Sequence, residues 1–216
     1  MNVDERTIDY IDYLSWSLPE YLNKIYEDAM AAKVPVIRKS SQSFLKTMLT
    51  IKKPVEILEV GTAIGFSSMF MSEYMPEGAH ITTIELIEAR IKEARENFKR
   101  FEKEDKIKLI EGDAGEVLKK LSGEEERFDF IFLDAAQAQY ISYLPYIIKL
   151  MKPEAVLITD NVMHDGDIVN LRYYVNRRDR TVHSRMREYL YEITHSNELT
   201  TTILPIGDGM SLSVRN

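Results

Sequence analysis

From residue 54 onward, short apolar runs alternate with amphipathic stretches. The runs are VEILEV (55–60), HITTIEL (80–86), KIKLIEG (106–112), FDFIFLD (128–134) and AVLITDN (155–161). Between them, GFSSMFMSEYM, EARIKEARENFKRF, DAGEVLKKL and YISYLPYIIKLM place apolar residues three and four apart, which is helical spacing. Alternation of this kind predicts a parallel sheet with helices on both faces. The near-continuous apolarity of the strands agrees, because such a sheet buries both faces of its strands.

The two ends of the chain depart from that rhythm. DERTIDYIDYLSW and PEYLNKIYEDAMAAK read as helices, with Pro19 suited to a first turn. Val34-Pro35-Val36-Ile37 breaks the pattern, and SSQSFLKTMLTI opens a third helix with serines placed for capping. Near the other end, a polar helix over about 177–196 precedes LTTTILPI, the turn GDG and MSLSVR. Two strands joined by so short a connection form a hairpin, so one of them runs antiparallel. No repeat or linker interrupts the chain. The expectation is one α/β domain over 1–216, with a helical cap at 1–53 and a Rossmann-like core at 54–216.

Composition narrows the class. The 216 residues are 44% hydrophobic and 29% charged, ordinary for one globular domain. With no cysteine, a disulfide framework and a thiolate metal site are excluded. The start, MNVDERTIDYIDYL, is acidic and lacks the basic-then-apolar layout of a signal peptide, and no apolar run is long enough to span a bilayer. These features predict a cytoplasmic protein with no membrane partner. The net charge of −7 argues against indiscriminate nucleic-acid binding. Yet RYYVNRRDRTVHSRMR (172–187) holds six arginines against Asp179 alone.

Candidate chemistry lies at the strand ends, where open α/β sheets bind ligands. EVGTAIGFSS supplies Glu59, Gly61, Gly65 and Ser67 at a strand-to-helix turn. Its glycines permit close backbone approach, and a helix N-terminus favours negative charge; a tight turn alone also accounts for them. Glu85 ends the second run and could accept from both hydroxyls of a ribose, or sit as a solvated charge at a helix start. Asp113 and the N–H of Ala114 offer an acceptor and a donor that match the adenine edge; Asp113 could equally be a plain helix cap. In sequence order these describe a nucleoside pocket. NAD is the weaker candidate, because its Gly-x-Gly-x-x-Gly fingerprint has Ala63 at the middle position. S-adenosylmethionine fits better.

ILEVGTAIGFSS, TIEL, EGDA, FLDAA and ITDN together resemble the class I methyltransferase fold and, within it, the cation-dependent O-methyltransferases that include the catechol and caffeoyl-CoA enzymes. The resemblance covers nearly the whole chain. It implies a seven-stranded, mostly parallel sheet with an antiparallel C-terminal hairpin, and relatives that are commonly homodimers. It adds Ile37, Thr62 and Asp134 to the cofactor-binding set. It also makes Asp134, Asp160 and Asn161 the ligands of a divalent cation such as Mg2+. Two carboxylates and an amide oxygen are hard donors that suit magnesium, although single strand-end aspartates often cap helices or stay solvated. A cation there would lower the pKa of an acceptor hydroxyl and orient it toward the sulfonium methyl.

The family usually carries a lysine as general base where this chain has Gln137, which takes no proton at neutral pH. Either the hydroxyl is acidic enough when cation-bound or another group acts, with His164 the nearest candidate and a surface loop its plainer explanation. Asp134, Gln137 and His164 therefore form the expected catalytic set. VPVIRKS, the arginine-dense segment and ILPIGDGMSLS are similar to the bacterial tRNA 5-hydroxyuridine methyltransferases. That likeness implies an anticodon-loop acceptor, with Arg172, Arg177 and Arg178 on phosphates and Tyr140, Tyr173 and Tyr174 available for stacking. Two other functions remain open: a catechol or phenol O-methyltransferase with the same cation chemistry, and a cofactor-binding protein that has lost catalysis.

Overall fold

The computed structural model describes residues 5–14, 16–124 and 127–216. Residues 1–4 of the acidic N-terminal stretch lie outside them. The cap consists of α1 (Glu5–Tyr13), α2 (Glu20–Ala31) and α3 (Lys39–Lys52). The core then runs β1 (Glu56–Val60), α4 (Phe66–Tyr74), β2 (His80–Glu85), α5 (Glu88–Arg100), β3 (Ile107–Glu111), α6 (Ala114–Gly123), β4 (Phe128–Leu133), α7 (Tyr140–Leu150), β5 (Met151–Thr159), α8 (Arg180–His195), β6 (Leu199–Leu204) and β7 (Met210–Arg215). 3₁₀ segments at Gln137–Gln139 (one turn) and His164–Val169 (two turns) follow β4 and β5.

The seven strands form one sheet in the order β3-β2-β1-β4-β5-β7-β6. The first five are mutually parallel, and β7 runs antiparallel to both β5 and β6. The α/β fold is thus the Rossmann-like class I methyltransferase arrangement with its C-terminal hairpin. Strand order reverses between β1 and β4, and the crevice at such a switch point is where ligands bind.

Alternation along each strand divides the core between the two faces. Ile57, Phe130, Phe132 and Ile158 meet Leu22, Leu45 and Leu49 of the cap and Phe70 of α4. Leu58, Ile131, Leu133 and Leu157 meet Tyr140, Ile147, Met186 and Tyr189 of α7 and α8. Each such fully buried large side chain contributes about 1.5–3 kcal/mol relative to exposure. The cap helices are therefore part of the packing that holds the sheet's edge of the crevice in place.

Three local expectations shift. The serines expected to cap the third helix lie inside it, for α3 begins at Lys39 with Arg38 at its N-cap and no side-chain cap bond. The fifth strand starts at Met151 rather than 155, because Met151 pairs with Phe128 across a bulge. The last helix begins at Arg180, after a run of turns through 171–179. Among the described residues no helix is long and apolar enough to cross a membrane.

Candidate active site

The crevice is built by the four strand-to-helix connections after β1, β2, β3 and β4. After β1, the N–H groups of Gly61 and Thr62 both donate to the Ile84 carbonyl at 3.1 Å, tying the turn to β2. Gly61 takes φ +104°, and a Cβ there would lie 1.9 Å from the Asp134 carbonyl oxygen. Only glycine allows the ends of β1 and β4 to approach this closely. Glu59 lies beneath the turn, fully buried. It accepts from Ser68 and, at 2.5 Å, from Thr83. Thr83 has spent its hydrogen on Glu59, so it accepts from Thr62 at 2.6 Å. Burial pushes the Glu59 carboxyl up to about 7, against the lowering effect of the Ser67, Ser68 and Thr83 hydroxyls. Glu59 and Ser67, expected as cofactor contacts, thus belong to one hydroxyl–carboxylate network that supports the turn.

Above it opens a cavity of about 580 Å³ whose lining includes Gly61, Ala63, Glu85, Asp113, Ala114 and Asp134. That volume is within the usual range of roughly 300–1,000 Å³ for small-molecule sites. Glu85 is almost fully buried. One carboxylate oxygen accepts from Ala63 N–H and the other from Leu86 and Ile87 N–H, each at 2.9 Å. Three of about four lone-pair sites are occupied, leaving one for a ligand. We expect Glu85→Ala to weaken S-adenosylhomocysteine binding about 10- to 100-fold by releasing the Thr62–Gly65 turn, as calorimetric titration would read. Asp113 caps α6, accepting from Glu116 N–H at 3.1 Å, while also lining the cavity. The capping and ligand roles are compatible.

A second, smaller cavity of about 200 Å³ adjoins the first. It is lined by Pro35, Ile37, Arg38, Asp160, Asn161 and Asp208, with Asp134 at its boundary. Asp134 and Asn161 line both cavities. Asp134 follows β4 and Asp160 follows β5; because those strands are neighbours, residues 26 apart in sequence meet. Asn161 Nδ2 donates to Asp134 Oδ1 at 3.0 Å, and Asn161 N–H donates to Asp160 Oδ1 at 2.8 Å. Burial raises the Asp160 carboxyl to about 7, the Asp134 and Asp208 charges push it the same way, and Asn161 N–H and Arg38 oppose. Burial likewise raises Asp134 to about 6 against the Asn161 amide. Among the described residues no group of three or more His, Cys, Asp or Glu is arranged to hold a metal. The smaller cavity gathers the Asp134 and Asp160 carboxylates and the Asn161 amide, of which Asp134 and Asn161 also face the larger one.

Of the remaining expected residues, Gln137 and His164 do meet, at 2.9 Å between Oε1 and Nδ1. Tyr140 corrects its expectation: it is fully buried, edge-on to Tyr189, so its ring offers no stacking face. Its hydroxyl accepts from Ala135 N–H at 3.1 Å and steadies the loop after β4. Arg172, Arg177 and Arg178 are exposed, as are Tyr173 and Tyr174 at 86% and 82%. Arg180, Arg185 and Arg187 instead donate to the carbonyls of Val175, Ala138 and Ile168. Two lining elements escaped the sequence reading. Pro35 borders both cavities, and Asp208 comes from the hairpin turn. The helix break at 34–37 and the acidic Gly-Asp-Gly were the available signals.

The O-methyltransferase family matches residues 13–216. The catechol O-methyltransferase of Niastella koreensis is 26% identical over 170 residues, 78% of this chain and 76% of that protein. The Bacillus cereus O-methyltransferase, solved in complex with SAH (S-adenosylhomocysteine), superposes with a TM-score of 0.84 at 26% identity, covering 96% of each chain. SAH-bound Podospora anserina methyltransferase PaMTH1 does so at 0.86 and 25% identity, over 100% of this chain and 98% of the other. Matched over nearly its whole length and folded in the same way, the chain belongs to the O-methyltransferase family as a class I S-adenosylmethionine-dependent enzyme related to the catechol and caffeoyl-CoA O-methyltransferases.

Proposed function

We propose that the enzyme methylates one oxygen of a small acceptor bearing two adjacent oxygens, of the catechol kind, and that Asp134, Asp160 and Asn161 hold a divalent cation for that reaction. The carrying observation is the position of Asp134 and Asn161 on the wall shared by the two cavities. The larger space suits the methyl donor. The smaller, at about 200 Å³, suits a one-ring acceptor.

The residues fit a cation. Their oxygens are hard donors, burial raises both carboxyls, and the Asp134 charge raises Asp160 further, a repulsion that a dication relieves. When bound, such an ion supplies Lewis-acid stabilisation of an ionised acceptor oxygen. The chain's own residues do the rest. Asn161 fixes the Asp134 and Asp160 carboxylates through its amide and its N–H. Glu85 and Asp113 border the space for the nucleoside. Pro35 and Ile37 cover the small cavity with apolar surface, limiting water beside the reacting oxygen. The likeness to a catechol O-methyltransferase supports this acceptor class.

A second reading, a tRNA 5-hydroxyuridine acceptor, is favoured by one observation: three exposed arginines flank two exposed tyrosines at 172–178. Salt separates the two. Three phosphate contacts weaken binding roughly 20- to 40-fold between 50 and 200 mM salt, whereas catechol KM should hardly move. We expect turnover of catechol with magnesium and S-adenosylmethionine, insensitive to salt and to Arg177→Ala with Arg178→Ala. Methylation of undermodified tRNA alone, lost in the arginine variant, would establish the second reading instead.

A further inference from the structure

The smaller cavity has a polar side beyond the three oxygen donors. Arg38 and Ser41 reach it from the start of α3, and Asp208 reaches it from the hairpin turn. Ser41 is 1% exposed, and its hydroxyl has no hydrogen-bond partner among the described residues. A helical serine ordinarily returns its hydrogen to a carbonyl three or four residues back. Here Gln42 takes both of those carbonyls. Its N–H donates to Arg38 at 2.9 Å, and its Nε2 donates to Ile37 at 2.8 Å. A buried hydroxyl without a partner needs a cause, and a ligand in the cavity supplies one.

Two further features give that ligand a sign. Arg38 is the N-cap of α3 and makes no side-chain cap bond, so the first-turn N–H groups keep the partial positive charge of a helix start. The Arg38 charge is also felt across the cavity, where it lowers the Asp160 carboxyl against burial and the Asp134 and Asp208 charges. Gly207 closes the hairpin turn onto both residues. At φ +61°, a Cβ there would lie 2.6 Å from Ser41 Oγ and 3.9 Å from Arg38 Cδ. Guanidinium, hydroxyl and helix start thus gather on one wall, and all three can donate to an anion. Asp208 opposes them from the hairpin.

We propose that Arg38 and Ser41 bind a carboxylate carried on the acceptor ring, which makes the preferred substrate a catechol acid rather than catechol itself. This rests on the smaller cavity being the acceptor site. The adjacent oxygens of the acceptor then face Asp134, Asp160 and Asn161, while the carboxylate faces the first turn of α3. Arg38 and Ser41 set specificity and orientation and take no proton from the reacting oxygen.

The test is a matched series of ring substituents: 3,4-dihydroxybenzoate, its neutral amide and 3,4-dihydroxybenzylamine, with catechol as the unsubstituted reference. The acid should exceed the amide about 10- to 100-fold in kcat/KM, chiefly through KM, and the amine should be the poorest of the three. Arg38→Met should bring acid and amide within about threefold of each other, a ratio that reads the subsite whatever the variant does to turnover of catechol. Ser41→Ala should narrow the same ratio about fivefold. It should not lower the melting temperature, because it removes a hydroxyl that the fold leaves unpaired; a lowered value overturns the role of Ser41. Equal kcat/KM for acid and amide, preference for the amine, or an acid preference that survives in both variants overturns the subsite alone. A wild-type enzyme that methylates none of the four overturns the acceptor reading, and the subsite falls with it.

Discussion

Asp160→Asn should reduce methyl transfer about 10²- to 10³-fold while S-adenosylhomocysteine still binds, and should raise the melting temperature of the metal-free protein above pH 7. The rate falls because one of the two carboxylates proposed to hold the cation at the smaller cavity is gone. The stability gain follows from linkage. Burial raises Asp134 to about 6, and burial together with the Asp134 charge raises Asp160 to about 7 in the folded state. Unfolded, both titrate near the ordinary value of about 4. Between those limits the native state binds more protons than the unfolded one, so stability falls as pH rises from about 4 to about 7. Below that window both states are protonated and the penalty is absent; above it the penalty is complete. An amide at 160 removes the like charge and can still accept from Asn161 N–H. Magnesium should act in the same direction on the wild type, raising its melting temperature at pH 8 more than at pH 5. Calorimetry with EDTA or magnesium reads both effects. Full activity in EDTA would refute the cation assignment.

Gly61→Ala should abolish donor binding and cost of order 3 kcal/mol or more in stability, lowering the melting temperature by about 10 °C. The added Cβ would meet the Asp134 carbonyl oxygen at 1.9 Å and its carbon at 2.8 Å. Neither partner can retreat cheaply. Asp134 N–H donates to the Val60 carbonyl at 3.0 Å, and Val60 pairs with Leu133 in the sheet. The φ of +104° also disfavours any side chain. Relief requires parting β1 from β4 at their carboxyl ends, which opens the floor of the donor cavity. Unchanged melting and unchanged S-adenosylhomocysteine affinity would show that this close approach is dispensable.

Much of the architecture was legible because it is written locally. Period-two apolar runs and three-to-four spacing are properties of neighbouring residues, so strands and helices are recoverable without knowing what they pack against. Residues that end strands carry their positions with them: Gly61, Glu85, Asp113 and Asp134 all border the larger cavity. The hairpin was equally local, since Gly-Asp-Gly leaves the chain no room for a crossover.

What a side chain touches is not local. Tyr140 opens α7 and looked available, yet α8 folds over it and buries it against Tyr189. Glu59, expected as a cofactor contact, lies fully buried beneath the turn, where it accepts from Ser68. The six arginines of 172–187 divide evenly, three exposed and three on backbone carbonyls, according to where turns give way to helix at residue 180. Asp208 reaches the cleft because β7 lies beside β5. The sequence by itself determined the elements and the chemistry at their ends, since both follow from backbone periodicity. Only the tertiary structure decided which oxygens share a wall, which arginines stay exposed and that Gln137 meets His164, because these depend on strand order and on burial between elements far apart in the chain.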